Sequence, residues 1–162
     1  MVPTLPIKRT QSIVDGLERM RERIVTRAYE IFQGRGAECG HDLDDWLSAE
    51  RELVWEPPVE LEESDDELTV KLSAPGIDPK DIEVELTPED LLVEAETHAE
   101  TKKSKGKVHT RERTSRKLFR SVHFPRKIDP STAKAEMKDG MLKLTARIAE
   151  KDQPRRIKIA SA

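Results

Sequence analysis

Aromatic residues make up only 4% of this 162-residue chain, and Cys39 is its single cysteine. One thiol excludes an internal disulfide, and few aromatics leave few bulky anchors for a large core. No apolar run approaches the ~20 residues of a membrane span or has the look of a signal peptide. A strong charge of one sign is missing too. Lys+Arg number 29 against 32 Asp+Glu, a formal net charge of -3, which is too little to make nucleic acid or a membrane surface the expected main partner. The expected compartment is the cytoplasm. With 35% hydrophobic and 38% charged residues, one modest core with solvated arms fits the composition better than two domains.

What the chain does have is charge in patches and apolar residues in periods. Acids dominate from Glu60 to Glu100, whereas Lys102 to Lys117 is basic around one acid, Glu112. Patches of opposite sign can pair within one molecule or between copies. Residues 1–10, with Pro3 and Pro6, read as a loose arm. Ile13, Leu17, Met20, Ile24, Ala28 and Ile31 then recur at steps of three and four, the period of an amphipathic helix, which Gly34 and Gly36 stop. Asp42 offers an N-cap for a second helix with Leu43, Trp46, Leu47 and Leu53 as its apolar face. Pro57-Pro58 marks a boundary.

Beyond the prolines the period becomes two. Val59/Leu61, Leu68/Val70/Leu72 and Ile82/Val84/Leu86 alternate with polar residues, and Leu91-Leu92-Val93, Leu118 to Phe124, Ala133/Ala135/Met137 and Met141 to Ile148 add further strands. Val108 to Arg113 reads as another. Asp139-Gly140 supplies the positive φ angles of a tight hairpin turn. Many short strands separated by turns imply an all-β sandwich. The expected division is a helical arm at 1–56, a sandwich at 57–149 and a flexible extension at 150–162.

The residues in these strands resemble the small heat-shock proteins, the family built on the α-crystallin domain. Ala135-Glu136-Met137-Lys138-Asp139-Gly140-Met141-Leu142 fits the family's A-x-x-x-x-G-x-L signature. Leu72-Ser73-Ala74-Pro75-Gly76-Ile77 looks like its A-x-P-G loop, and Leu118-Phe119-Arg120-Ser121-Val122-His123-Phe124-Pro125 like its F-x-R-S-F-x-L-P strand. Ile157-Lys158-Ile159 matches the C-terminal I-x-I. Four such matches in order cover about the last two thirds of the chain. The arm departs from the aromatic-rich pattern of many relatives: "RAYEIFQGRG", "GHDLDDWL" and "AEREL" resemble a short helical bacterial module of unknown function.

The resemblance implies an immunoglobulin-like β-sandwich, the α-crystallin domain, and an ATP-independent holdase chaperone that keeps unfolding client proteins from aggregating. It implies no cofactor, nucleotide or metal, and no catalysis. Ile157 and Ile159 would form a clip entering a groove of a neighbouring dimer, lined here by Ile82, Val84, Leu86, Ala133, Ala135 and Met137. The alternative from the residues alone is that the two isoleucines close their own sheet. The strand around Val108 would swap onto a partner subunit, with Arg111, Glu112 and Arg113 as cross-subunit pairs and Arg120 at the interface. Client-binding candidates are Ile13, Leu17, Met20, Ile24, Ile31 and Phe32. A scaffold module binding one fixed partner is the alternative of another class.

Signals for other chemistry are thin. Gly34-Arg35-Gly36 with Gly40 follows a helix rather than a strand, the wrong setting for a phosphate loop. Cys39 and His41 have no second pair to complete a tetrahedral metal site. The basic stretch lacks the interleaved aromatics that stack bases. Ser121 and His123 would share a strand face, with no acidic orienter legible in the sequence. The helix arginines 19, 21, 23 and 27 are diluted by Glu18, Glu22 and Glu30, which favours helix packing over membrane binding.

Overall fold

The computed structural model describes residues 2–96, 117–149 and 159–160. Among the described residues ten strands form two five-stranded sheets. In chain order they are β1 (Thr4–Leu5), β2 (Ile7–Arg9), β3 (Val54–Trp55), β4 (Val59–Glu63), β5 (Glu67–Ser73), β6 (Ile82–Leu86), β7 (Asp90–Glu96), β8 (Lys117–His123), β9 (Lys134–Lys138) and β10 (Met141–Arg147). Two helices, α1 (Val14–Gly34) and α2 (Asp42–Leu53), lie between β2 and β3. One sheet has the order β1-β9-β10-β5-β4 and the other β2-β6-β7-β8-β3.

Period-two patterning accounts for the sandwich. Leu68, Val70 and Leu72 of β5, Val84 and Leu86 of β6, and Leu142 and Leu144 of β10 all turn inward to one cluster, while the residues between them face outward. The β9–β10 hairpin turns at Asp139 and Gly140, with φ of 51° and 76°, the paired left-handed geometry of a two-residue type I′ loop. That turn also rests on the preceding loop, where the Ala74 amide donates to the Gly140 carbonyl at 2.7 Å.

β7 breaks the alternation, since five consecutive residues from Leu91 to Ala95 are buried. Its inner face, Leu91, Val93 and Ala95, belongs to the sandwich core. Its outer face is covered by the helices: Leu92 and, on β8, Phe119 meet Ile13, Met20 and Ile24 of the α1 region and Ala49 of α2 in a second cluster. Gly16 permits the approach, because a Cβ there would collide with the Leu92 side chain.

Three expectations are corrected. Residues 4–9 are not a loose arm: β1 pairs antiparallel with β9 and β2 parallel with β6. The apolar face expected for α2 is met only in half, since Trp46 and Leu53 pack against the second cluster. Leu43 and Leu47 are exposed, and the buried positions are Asp45 and Ala49. Asp45 is tolerated there because the Arg35 guanidinium grips its carboxylate, with Nη2 donating to Oδ2 at 2.9 Å. Those hydrogen bonds hold the Asp45 pKa below its ordinary value. His41, rather than Asp42, precedes the first turn of α2.

Candidate functional site

The residues expected to form the groove lie at or beside the edges of the two sheets. β6 is the last long strand of one sheet and β9 of the other. Their inward residues Ile82, Val84, Leu86, Ala135 and Met137, and Ala133 just before β9, are all buried in the sandwich core. Each strand alternates, so its apolar residues face the sandwich interior while Glu83, Glu85 and Glu136 stay on the outer face or rim. The chain reaches β9 through a short turn that Asp129 caps by accepting from the Ser131 amide at 3.0 Å and its hydroxyl at 2.6 Å. These bonds lower the Asp129 pKa.

In this structure β1 and β2 cover those edges. Leu5, 4% exposed, sits opposite Ala135, and half-buried Ile7 sits opposite Val84. Pro6 alone separates β1 from β2, so one extended segment passes from the edge of one sheet to the edge of the other. The Met137 amide donates to the Pro3 carbonyl at 3.1 Å, and the Thr10 amide donates to the Leu86 carbonyl at 2.9 Å. Arg9 Nε donates to the Pro130 carbonyl at 2.7 Å. Lys8 Nζ lies 3.7 Å from the Glu85 carboxylate, which Arg19 of α1 approaches to 3.9 Å. Leu5 and Ile7 are absent from the residues that the sequence suggested for this site. Their signal was available, since Leu5-Pro6-Ile7 repeats the aliphatic spacing of Ile157-Lys158-Ile159 and is likewise flanked by cations.

Of the clip itself, Ile157 lies outside the described residues, and Ile159 is 90% exposed, in no strand. Val108, Arg111, Glu112 and Arg113 also lie outside them. Arg120 stands on β8 with Nη1 3.6 Å from Glu56 Oε2, and its buried Nε has no hydrogen-bond partner among the described residues. The client candidates divide: Ile13, Met20 and Ile24 are buried under α1, Ile31 and Phe32 are half-buried, and Leu17 is exposed. At the opposite side of the sandwich β4 pairs with β5 alone among the described strands, leaving an outer edge that carries Glu60 and Glu62. On the exposed end of β8, His123 Nδ1 meets Asp90 Oδ1 at 2.9 Å. The sequence had not disclosed this carboxylate, and the imidazole remains open to solvent.

Residues 60–160 match the model of the Hsp20/alpha crystallin family. The chain belongs to that family. Residues 19–54, spanning most of α1 and all of α2, match a second one, a protein family of unknown function (DUF2934). Among curated relatives of this Hsp20-family chain, spore protein SP21 of Stigmatella aurantiaca is 31% identical over 65% of this chain and 63% of its own length. Small heat shock protein C2 of Rickettsia felis is 25% identical over 69% and 71%. Among solved structures, heat shock protein 16.0 of Schizosaccharomyces pombe superposes with a TM-score of 0.52 at 24% identity, covering 67% of this chain and 99% of that one. That likeness shows the sandwich fold. Membership of the Hsp20 family supports a chaperone role in the stress response, in a family that is typically non-catalytic. No helix among the described residues is long and apolar enough to cross a membrane.

Proposed function

We propose that this Hsp20-family chain is an ATP-independent holdase that captures unfolding proteins in the cytoplasm and keeps them from aggregating. The observation that carries the reading is the second apolar cluster. The sandwich has a complete core of its own, yet Leu92 and Phe119 on the outer face of one sheet are covered by Ile13, Met20 and Ile24. Undocking that layer uncovers apolar surface on both helix and sheet without dismantling the sandwich. Non-directional burial then suits many clients, and mass action makes capture rise with the concentration of unfolded chains.

Assembly follows the same economy of edges. The basic segment 108–114 of one subunit adds to the free, acid-bearing edge of β4 in another, giving a dimer with Arg120 near its interface. Ile157 and Ile159 of one dimer clip into the β6–β9 groove of the next. No cofactor enters this reading.

The experiment is light scattering of a heat-labile substrate with and without the full chain, beside the solution mass of the chain and of its Ile157→Ser/Ile159→Ser variant. The expected results are suppressed aggregation at near-stoichiometric ratios and a large oligomer that the double substitution reduces to dimers. Undiminished aggregation sinks the holdase, and an unchanged mass sinks the clip. Capture of one substrate and none of several unrelated ones points to a dedicated scaffold instead.

A further inference from the structure

We infer that the segment Pro3 to Arg9 is an in-chain occupant of the β6–β9 groove that excludes the Ile157/Ile159 segment of a second copy, so that the groove is a docking site with two competing ligands. The inference rests on the clip reading above for its second ligand; the first is in place in the structure. Four observations converge. The aliphatic spacing is the same in both segments, Leu5-x-Ile7 and Ile157-x-Ile159, and an extended chain puts residues i and i+2 on one side. Leu5 is packed among Ala135 and its neighbours while Ile159 stands in solvent. The charges agree as well: Lys8 and Arg9 flank one motif, Arg155, Arg156 and Lys158 the other, and Glu83, Glu85 and Glu136 border the groove. Lastly, the edges themselves are spent. β9 exchanges its outward bonds with β1, and β6 with β2, and a strand edge pairs with one strand at a time.

The two ligands differ in a way that makes exchange feasible. Pro3 and Pro6 carry no amide hydrogen, and the paired runs are only two and three residues long. Lys158 retains the donor that Pro6 lacks. The N-terminal segment holds the site by the high effective concentration of a tethered ligand, whereas the tails of an assembly gain by acting together. Leu5 and Ile7 thus set the fraction of grooves open to a neighbour's tail, and the apparent tail affinity falls by that fraction.

The test uses the full chain carrying Ile157→Ser/Ile159→Ser, so that its own tails do not compete, and a fluorescent peptide of residues 150–162 as probe. Adding Leu5→Ser/Ile7→Ser is expected to tighten peptide binding about tenfold or more. Because those substitutions touch the core, a second protein carries Leu5→Cys/Ala135→Cys with Cys39→Ser. Directly opposed residues of an antiparallel pair lie within disulfide reach. Oxidised, this protein is expected to refuse the peptide; reduced, it recovers binding. Equal, tight binding by all forms overturns the inference and leaves the clip standing. Binding by none of them, with circular dichroism showing intact sheets, overturns the clip and the competition together.

Discussion

At the scale of the residue, the most consequential side chain outside the sandwich is Asp45. It is buried on the inner face of α2, and the Arg35 guanidinium, at the end of α1, fastens it across the loop between the helices. Arg27 and Glu52 repeat the device farther along, at 2.6 Å. The Arg35 hydrogen bonds hold the Asp45 pKa down, and those of Arg27 hold Glu52 down. A carboxylate whose folded pKa is depressed contributes stability that is fully present above its unfolded value, ~3.9 for Asp, and lost as pH falls through the folded value. The helical layer is therefore expected to loosen in acid. Hydrogen exchange of residues 14–53 at pH 7 and at pH 3 should show protection falling more in the wild type than in Asp45→Asn, which starts weaker at pH 7 but has one fewer acid-sensitive tie. Equal losses in both proteins would show that Asp45 contributes nothing to the acid response. Sequence alone did not disclose this residue, because an aspartate reads as surface until its cation is placed beside it.

At the scale of the element, the two helices were legible from their apolar period, whereas the sheet face they cover and the two short straps at the edges were the parts least legible in the sequence. The long strands were readable from Leu68/Val70/Leu72 or Ile82/Val84/Leu86 because each buries one face against a single core. Leu91-Leu92-Val93 and Leu118-Phe119 place large apolar residues side by side, which one-sided burial does not require. The second face they imply is the one α1 covers. β1 and β2 stayed hidden for another reason: pairing of residues 4–9 with 84–86 and 135–136 is non-local, and two prolines in a short segment are the ordinary marks of a loop. Gly16 tests the helical layer as a unit. A Cβ there would meet the side chains of Leu92 and Glu94, so Gly16→Leu is expected to overpack that contact at a cost of about 1–3 kcal/mol. Exchange in α1 and α2 should accelerate while β5 and β10 remain protected, and a dye that reports exposed apolar surface should brighten. A variant that loses protection uniformly would mean that the helices and the sandwich unfold as one.

At the scale of the whole molecule, the sandwich handles its edges in two ways. On one side the segment 3–9 crosses from sheet to sheet and closes both. On the other, Glu56-Pro57-Pro58 links β3 to β4 and leaves the outer edge of β4 without a strand among the described residues. An unpaired edge is a template for another chain. Glu60 and Glu62 bias it toward a basic strand, and Lys71 already neutralises part of that charge by donating to Glu62 at 2.8 Å, which lowers the Glu62 pKa and raises that of Lys71. The segment 108–114, with Arg111 and Arg113, is the basic partner proposed for this edge. If it lies on β4 of a partner, Glu60→Lys/Glu62→Lys turns two attractions into repulsions. Exposed pairs contribute roughly 0.2–1 kcal/mol each; losing two and gaining two repulsions of like size costs about 0.8 kcal/mol or more, so the dimer is expected to weaken at least about fourfold at low ionic strength. Sedimentation equilibrium at low salt and near 1 M salt separates the causes. Screening shortens the Debye length to ~3 Å at 1 M, so the gap between variant and wild type should nearly close. A gap that persists at high salt would mean the lysines act by blocking the β4 edge rather than through charge, and an unchanged dimer at low salt would move the interface away from β4.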